Sequence, residues 1–187
     1  MNLGTFGITP IHEGLDDPYL YKLAGKVSQD IFAWLLTAGG LRVICFEPDT
    51  PIFDLMVLDC DKRLFEKGIV LLSFKSREHL GRVQIKLEHL EALKKEKAPL
   101  ESLNIDIYVC LAFYNRRNAS INTYYLFPLD ALLGETSKTI SWSCKQTQRI
   151  FERHKKDGEK VFQLPSDYFE PQEALRLLRL RKSTHIS

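Results

Sequence analysis

Long hydrophobic runs are missing from this chain of 187 residues. No stretch approaches the ~18 consecutive apolar residues that a membrane span requires, so no membrane partner is expected. The opening MNLGTFGITP has no basic segment followed by an apolar one, so no secretory leader is expected either. Cysteine is scarce: Cys45, Cys60, Cys110 and Cys144 lie far apart, and none forms a CxxC pair. Three of them sit in apolar, strand-like runs, which reads as buried free thiols in a reducing cytoplasm rather than disulfides. The five histidines form no HxH or HxxxH pair, which argues against a histidine zinc site. AGKVS lacks both the upstream glycine and the Ser/Thr directly after lysine that a phosphate-binding P-loop needs. No GxSxG is present, so a hydrolase nucleophile elbow is not expected. There is no internal repeat and no low-complexity tract.

What remains is the composition of a soluble globular protein, 44% hydrophobic and 27% charged, long enough to bury a core without staples. Net charge is +2, but it is unevenly spread. Residues 145–187 hold ten Lys/Arg against six acids, which leaves 1–144 at −2. A basic C-terminal portion fits a nucleic-acid partner and fits a solvated tail equally well.

Periodicity divides the chain into elements. DDPYLYKLAGKVSQDIFAWLLTAGG predicts a helix, with Asp16 or Asp17 as cap, Pro18 in the first turn and Gly39-Gly40 as stop. Leu20, Leu23, Val27, Ile31, Trp34, Leu35 and Ala38 form its apolar stripe. LRVICF (41–46), IFDLMVLD (52–59) and GIVLLSFK (68–75) read as strands, the last two joined as an antiparallel hairpin by a polar link. SREHLGRVQIKLEHLEALKKEKAPL fits a helical face and, over Val83, Ile85 and Leu87, a strand. The helical pattern is sustained longer, so a helix is expected over about 79–97, ended by Pro99. NIDIYVCLAFYN (104–115) is a long strand, and NTYYLFPLDALL (122–133) a strand leading into a turn. Past Gly134 strand-like and helix-like pieces surround a turn at Asp157-Gly158, and PQEALRLLRLRK predicts a terminal helix.

The resulting order is α-β-β-β-α-β plus a further strand, with Asp54 opening the second strand. Together with the local stretch GKVSQDIFAWLLTAGGLRVICFEPDTPIFDLMV, this order resembles the PD-(D/E)XK nuclease superfamily, in its resolvase-like or homing-endonuclease-like form, over roughly residues 19–133. The resemblance implies an α/β restriction-endonuclease-like core with a mixed central sheet over 1–134, followed by a basic C-terminal extension over 135–187. It also implies Mg²⁺, held by an Asp on one strand and by a Glu-x-Lys on the next, whose lysine stands near the attacking water.

On that resemblance Asp54 is the first metal ligand. The second half of the motif is substituted and has two placements. In SFK, Lys75 is the lysine and Ser73 stands where Glu belongs; in VQIK, Lys86 is the lysine and Gln84 takes the Glu position as a ligand. The helix-one Glu falls at Gln29, and Glu47 and Asp49 are nearby carboxylates that would compensate. Arg176, Arg179, Arg181 and Lys182 are the expected phosphate contacts. The reading is a Mg²⁺-dependent DNA endonuclease, cytoplasmic and homo-oligomeric. The alternative is a catalytically inactive nuclease fold that binds DNA or serves as an assembly subunit; an unrelated α/β interaction protein is the third.

Overall fold

Helix α1 (Pro18–Ala38) opens on proline, whose fixed φ suits a first turn, and stops at Gly39-Gly40, where Gly40 takes φ +88°. The computed structural model describes residues 18–46, 52–62, 64–78, 80–115, 120–135 and 139–165. After α1 come β1 (Arg42–Cys45), β2 (Leu55–Leu58) and β3 (Ile69–Glu78), then β4 (Arg82–Lys86), α2 (Leu87–Ser102), β5 (Asp106–Asn115), β6 (Ser120–Pro128) and α3 (Leu129–Leu133). The described chain finishes with β7 (Thr139–Ser143), α4 (Cys144–Lys156) and β8 (Phe162–Pro165).

Six strands form the central sheet in the order β1-β2-β3-β5-β6-β8. All neighbours are antiparallel except β3 and β5, which run parallel because β4 and α2 cross over between them. This mixed α/β arrangement is consistent with the restriction-endonuclease-like core expected from the sequence: a helix, a three-strand antiparallel meander, a crossover helix, and a strand parallel to the third. The described residues 139–165 are tied to the same sheets. β8 lies beside β6 in the central sheet, and β7 pairs with β4 in a second, two-stranded sheet. Among the described residues no helix is long and apolar enough to cross a membrane.

Strand alternation gives the central sheet two buried faces. Leu55, Val57, Val70, Leu72, Phe74, Tyr108, Cys110 and Ala112 pack with Phe32 and Leu36 of α1. Ile107, Val109, Leu111 and Phe113 pack with Leu90 and Leu93 of α2, and with Ile150 and Phe151 of α4. Ser73 and Lys75 alternate with Leu72 and Phe74, and so belong to the α2 face.

Several sequence expectations are corrected. The helix expected over 79–97 is a strand followed by a helix. Val83 and Ile85 are buried between exposed Arg82, Gln84 and Lys86, and they pair with β7, more than 50 residues away in the chain. Pro99 does not end α2: it sits in the last turn, where its missing N–H costs one bond, and the helix runs to Ser102. The stripe on α1 is rotated, since Phe32, Leu35 and Leu36 are buried while Val27 and Trp34 are about half exposed. The turn expected after the strand at 122–133 is the short helix α3. All four cysteines are free, but Cys45 on edge strand β1 and Cys60 in the β2–β3 link are exposed, not buried. The expected helix cap at Asp16 or Asp17, the carboxylates Glu47 and Asp49, and the terminal helix with Arg176, Arg179, Arg181 and Lys182 lie outside the described residues.

Candidate active site

The site is built where β2 begins. β2 and β3 pair with Leu55 opposite Leu72, and the Asp54 N–H donates to the Leu72 carbonyl at 2.8 Å, so the ladder extends one residue back. That extension sets Asp54 against Ser73 and Phe74. Its carboxylate reaches over the neighbouring backbone, and Oδ2 accepts the Phe74 N–H at 2.6 Å. The Asp54 carbonyl is held from the other side by the Phe46 N–H at 3.0 Å and by Gln29 Nε2 of α1 at 3.3 Å. Gln29, where the resemblance would place an acid, donates to the backbone beside Asp54.

Lys75 extends from the same face of β3. Its Nζ lies 4.0 Å from Asp54 Oδ2, and the two side chains are 30% and 34% exposed. The separation is too long for a hydrogen bond, so the charges are neighbours that a solute can still reach. Burial pushes the Lys75 ammonium below the usual lysine value, and the Asp54 charge opposes part of that shift.

A histidine that the sequence reading did not select completes the cluster. His89 occupies the first turn of α2, and its Nε2 meets Ser73 Oγ at 2.8 Å. Ser73 itself is fully buried. Burial, and after it the Lys75 charge, bring the His89 pKa down to about 4 against the opposing Asp54 charge, so the ring is neutral near pH 7. Asp54, Ser73, Lys75 and His89 thus converge from the start of β2, from β3 and from α2, while Gln29 of α1 holds the Asp54 backbone.

Gln84 and Lys86 do not join them. They project from the exposed side of β4, opposite Ser141 and Thr139. Of the two placements of the motif lysine, only the one in SFK stands beside Asp54.

Among the described residues no group of three or more His, Cys, Asp or Glu side chains is arranged to hold a metal ion. The donors at Asp54 fit a divalent cation as a partial set. Mg²⁺ takes oxygen donors and is bound by one or two carboxylates together with substrate phosphates. A carboxylate has about four acceptor positions, so the Phe74 bond leaves Asp54 capacity for an ion.

No family model matches the chain. No curated protein matches it either. Among solved structures it is similar to a Holliday junction resolvase from the archaeon Archaeoglobus fulgidus, at 15% identity and a TM-score of 0.48, over 72% of this chain and 96% of the resolvase. It is also similar to a bacterial homing endonuclease, at 17% identity and a TM-score of 0.35, over 65% of this chain and 74% of the endonuclease.

Proposed function

We propose that this protein is a metal-dependent endonuclease that hydrolyses phosphodiester bonds in DNA, with Asp54 as the Mg²⁺ ligand and Lys75 beside the attacking water. One observation carries the reading: in a restriction-endonuclease-like sheet, a carboxylate and a lysine from adjacent strands meet at 4.0 Å on a face that solutes can reach. A site filled with apolar side chains would have supported an inactive scaffold instead.

Each side chain has a role that follows from its chemistry. Asp54 anchors the cation, which when bound supplies Lewis acidity and a more acidic water. Lys75 hydrogen-bonds the water and the phosphoryl oxygens as negative charge grows on them, and it does so in a partly buried setting where such contacts are strengthened. The Phe74 N–H fixes the Asp54 carboxylate, so its orientation is set before substrate arrives. Gln29 braces the backbone that carries it. Arg176, Arg179, Arg181 and Lys182 bind phosphates outside the reacting bond, and two copies related by a two-fold axis act on the two strands of a duplex.

The test is incubation of supercoiled plasmid with the protein, with and without Mg²⁺, beside Asp54→Ala. Nicked or linear product that requires both Mg²⁺ and Asp54 supports the reading. If folded wild-type protein shifts DNA in a gel but cuts none, the inactive DNA-binding alternative holds.

A further inference from the structure

Ser73 stands where the resemblance calls for an acid, and a serine hydroxyl is shorter and uncharged, a poor replacement for a carboxylate at a cation. The space in front of it is not left to solvent, because His89 reaches it from α2 and closes a 2.8 Å hydrogen bond across 16 residues of sequence. We propose that His89 is the second protein ligand beside Asp54, so that the site takes a cation that accepts nitrogen as well as oxygen, of the Mn²⁺ class, without nucleic acid present. This rests on the proposed metal role of Asp54 and adds to it the second donor and the cation it favours.

Three features support this. Asp54 stands against Ser73 where the β2–β3 ladder extends one residue back, so the ring that Ser73 holds at 2.8 Å lies over the strand position that faces the carboxylate. Ser73 is fully buried, which suits a hydroxyl that orients a ring rather than one that meets substrate. The hydrogen bond also has the pattern of a held ligand. With Nε2–H donated to Ser73 Oγ, the neutral ring keeps the Nδ1 lone pair for an ion, as histidine ligands do when a second group fixes their tautomer. Ser73 is then a positioning residue.

Donor chemistry sets the preference. Mg²⁺ demands oxygen and sheds water reluctantly, so one carboxylate holds it weakly until substrate phosphates join. Mn²⁺ accepts imidazole as well as carboxylate and loses water more readily. Free protein should therefore bind Mn²⁺ at least about tenfold more tightly than Mg²⁺, a difference of about 1.4 kcal/mol.

The experiment is a titration of the full chain with Mn²⁺, reading the free ion by electron paramagnetic resonance, followed by Mg²⁺ competition, all without DNA. Pulsed measurements on the bound ion read nitrogen coupling. One Mn²⁺ with nitrogen coupling is expected in the wild type. Asp54→Asn and His89→Ala should each weaken it tenfold or more, and His89→Ala should remove the coupling. His89→Gln, which keeps a hydrogen-bonding partner for Ser73, should also lose the coupling, and it guards against misfolding of the alanine variant. His89→Asp should narrow the preference for Mn²⁺ over Mg²⁺. Mn²⁺ that depends on Asp54 but shows no nitrogen coupling, with affinity unchanged in folded His89→Gln, overturns the role of His89 and leaves that of Asp54 standing. Cleavage in Mg²⁺ by a protein that binds no Mn²⁺ when free likewise sinks the inference but not the endonuclease. Mn²⁺ binding unaffected by Asp54→Asn overturns the site altogether.

Discussion

Lys75 Nζ and Asp54 Oδ2 face each other at 4.0 Å across the β2–β3 hairpin, each about one-third exposed. A pair this open contributes little to stability, about 0–1 kcal/mol, because water screens it. The larger structural role of the carboxylate is the single bond to the Phe74 N–H, worth about 1–2 kcal/mol. Lys75→Met is therefore expected to leave the unfolding midpoint nearly unchanged, and Asp54→Asn to lower it modestly. Urea titration of the two variants checks this. A loss of several kcal/mol for Lys75→Met would mean that the lysine belongs to the core.

The same strand closes on a second acid with the opposite character. Asp59 is 1% exposed, and its Oδ2 accepts the N–H groups of Leu64 at 2.6 Å and Phe65 at 2.9 Å. The two bonds fold the β2–β3 link back onto the core, where Phe65 packs edge-on against Tyr108 and Phe162. Asp59→Ala leaves two buried donors without this acceptor and should cost about 3 kcal/mol. Asp59→Asn, which keeps an acceptor oxygen, should cost less. Cleavage per folded molecule is expected to survive both, so denaturation and activity measured together separate this acid from Asp54.

Thiol reactivity should divide the cysteines. Cys45 and Cys60 are exposed, and they should react with a disulfide reagent in the native protein. Cys144 is partly buried, with its thiol pushed up by burial, and should lag. Cys110 is fully buried with its thiol pushed well up, and should react only on unfolding. Time-resolved labelling with mass mapping reads the order, and early labelling of Cys110 would contradict the packing between β5 and α1.

Basic residues near the C-terminus carry the expectation for DNA affinity. Neutralising Arg176, Arg179 and Arg181 together should weaken binding on every duplex sequence. It should also flatten the salt dependence by about 0.9 units of slope per lost phosphate contact. An unchanged slope would assign those residues to packing or assembly.

The meander and its acid were legible in the sequence because their signals are local. β-branched runs bounded by polar links predicted β1, β2 and β3, and an acid opening one strand beside a lysine on the next could be read without knowing anything distant. β4 was not legible in this way. Val83 and Ile85 also fit a helical face, and what makes them a strand is pairing with Ile140 and Trp142, which no local window contains. The face of α1 was misplaced because Trp34 and Val27 are apolar yet stand half in solvent, a cost that only the packing of Phe32 and Leu36 against the sheet reveals. His89 gave no motif, being a lone histidine in an amphipathic stretch. Its meaning comes from Ser73, which a parallel crossover brings beneath the first turn of α2.

The central claim is that Asp54 and Lys75 form a metal-dependent cleaving pair, and single-turnover cleavage of labelled duplex and branched DNA in Mg²⁺ tests it most directly. Wild type, Asp54→Asn, Lys75→Ala and Lys86→Ala are compared at matched folded concentration. The account predicts cleavage by wild type and Lys86→Ala at similar rates, and losses of about 100-fold or more for Asp54→Asn and Lys75→Ala, the scale expected when a charge-stabilising group is removed. Cleavage that survives in Asp54→Asn, or that depends on Lys86 and not on Lys75, would contradict it.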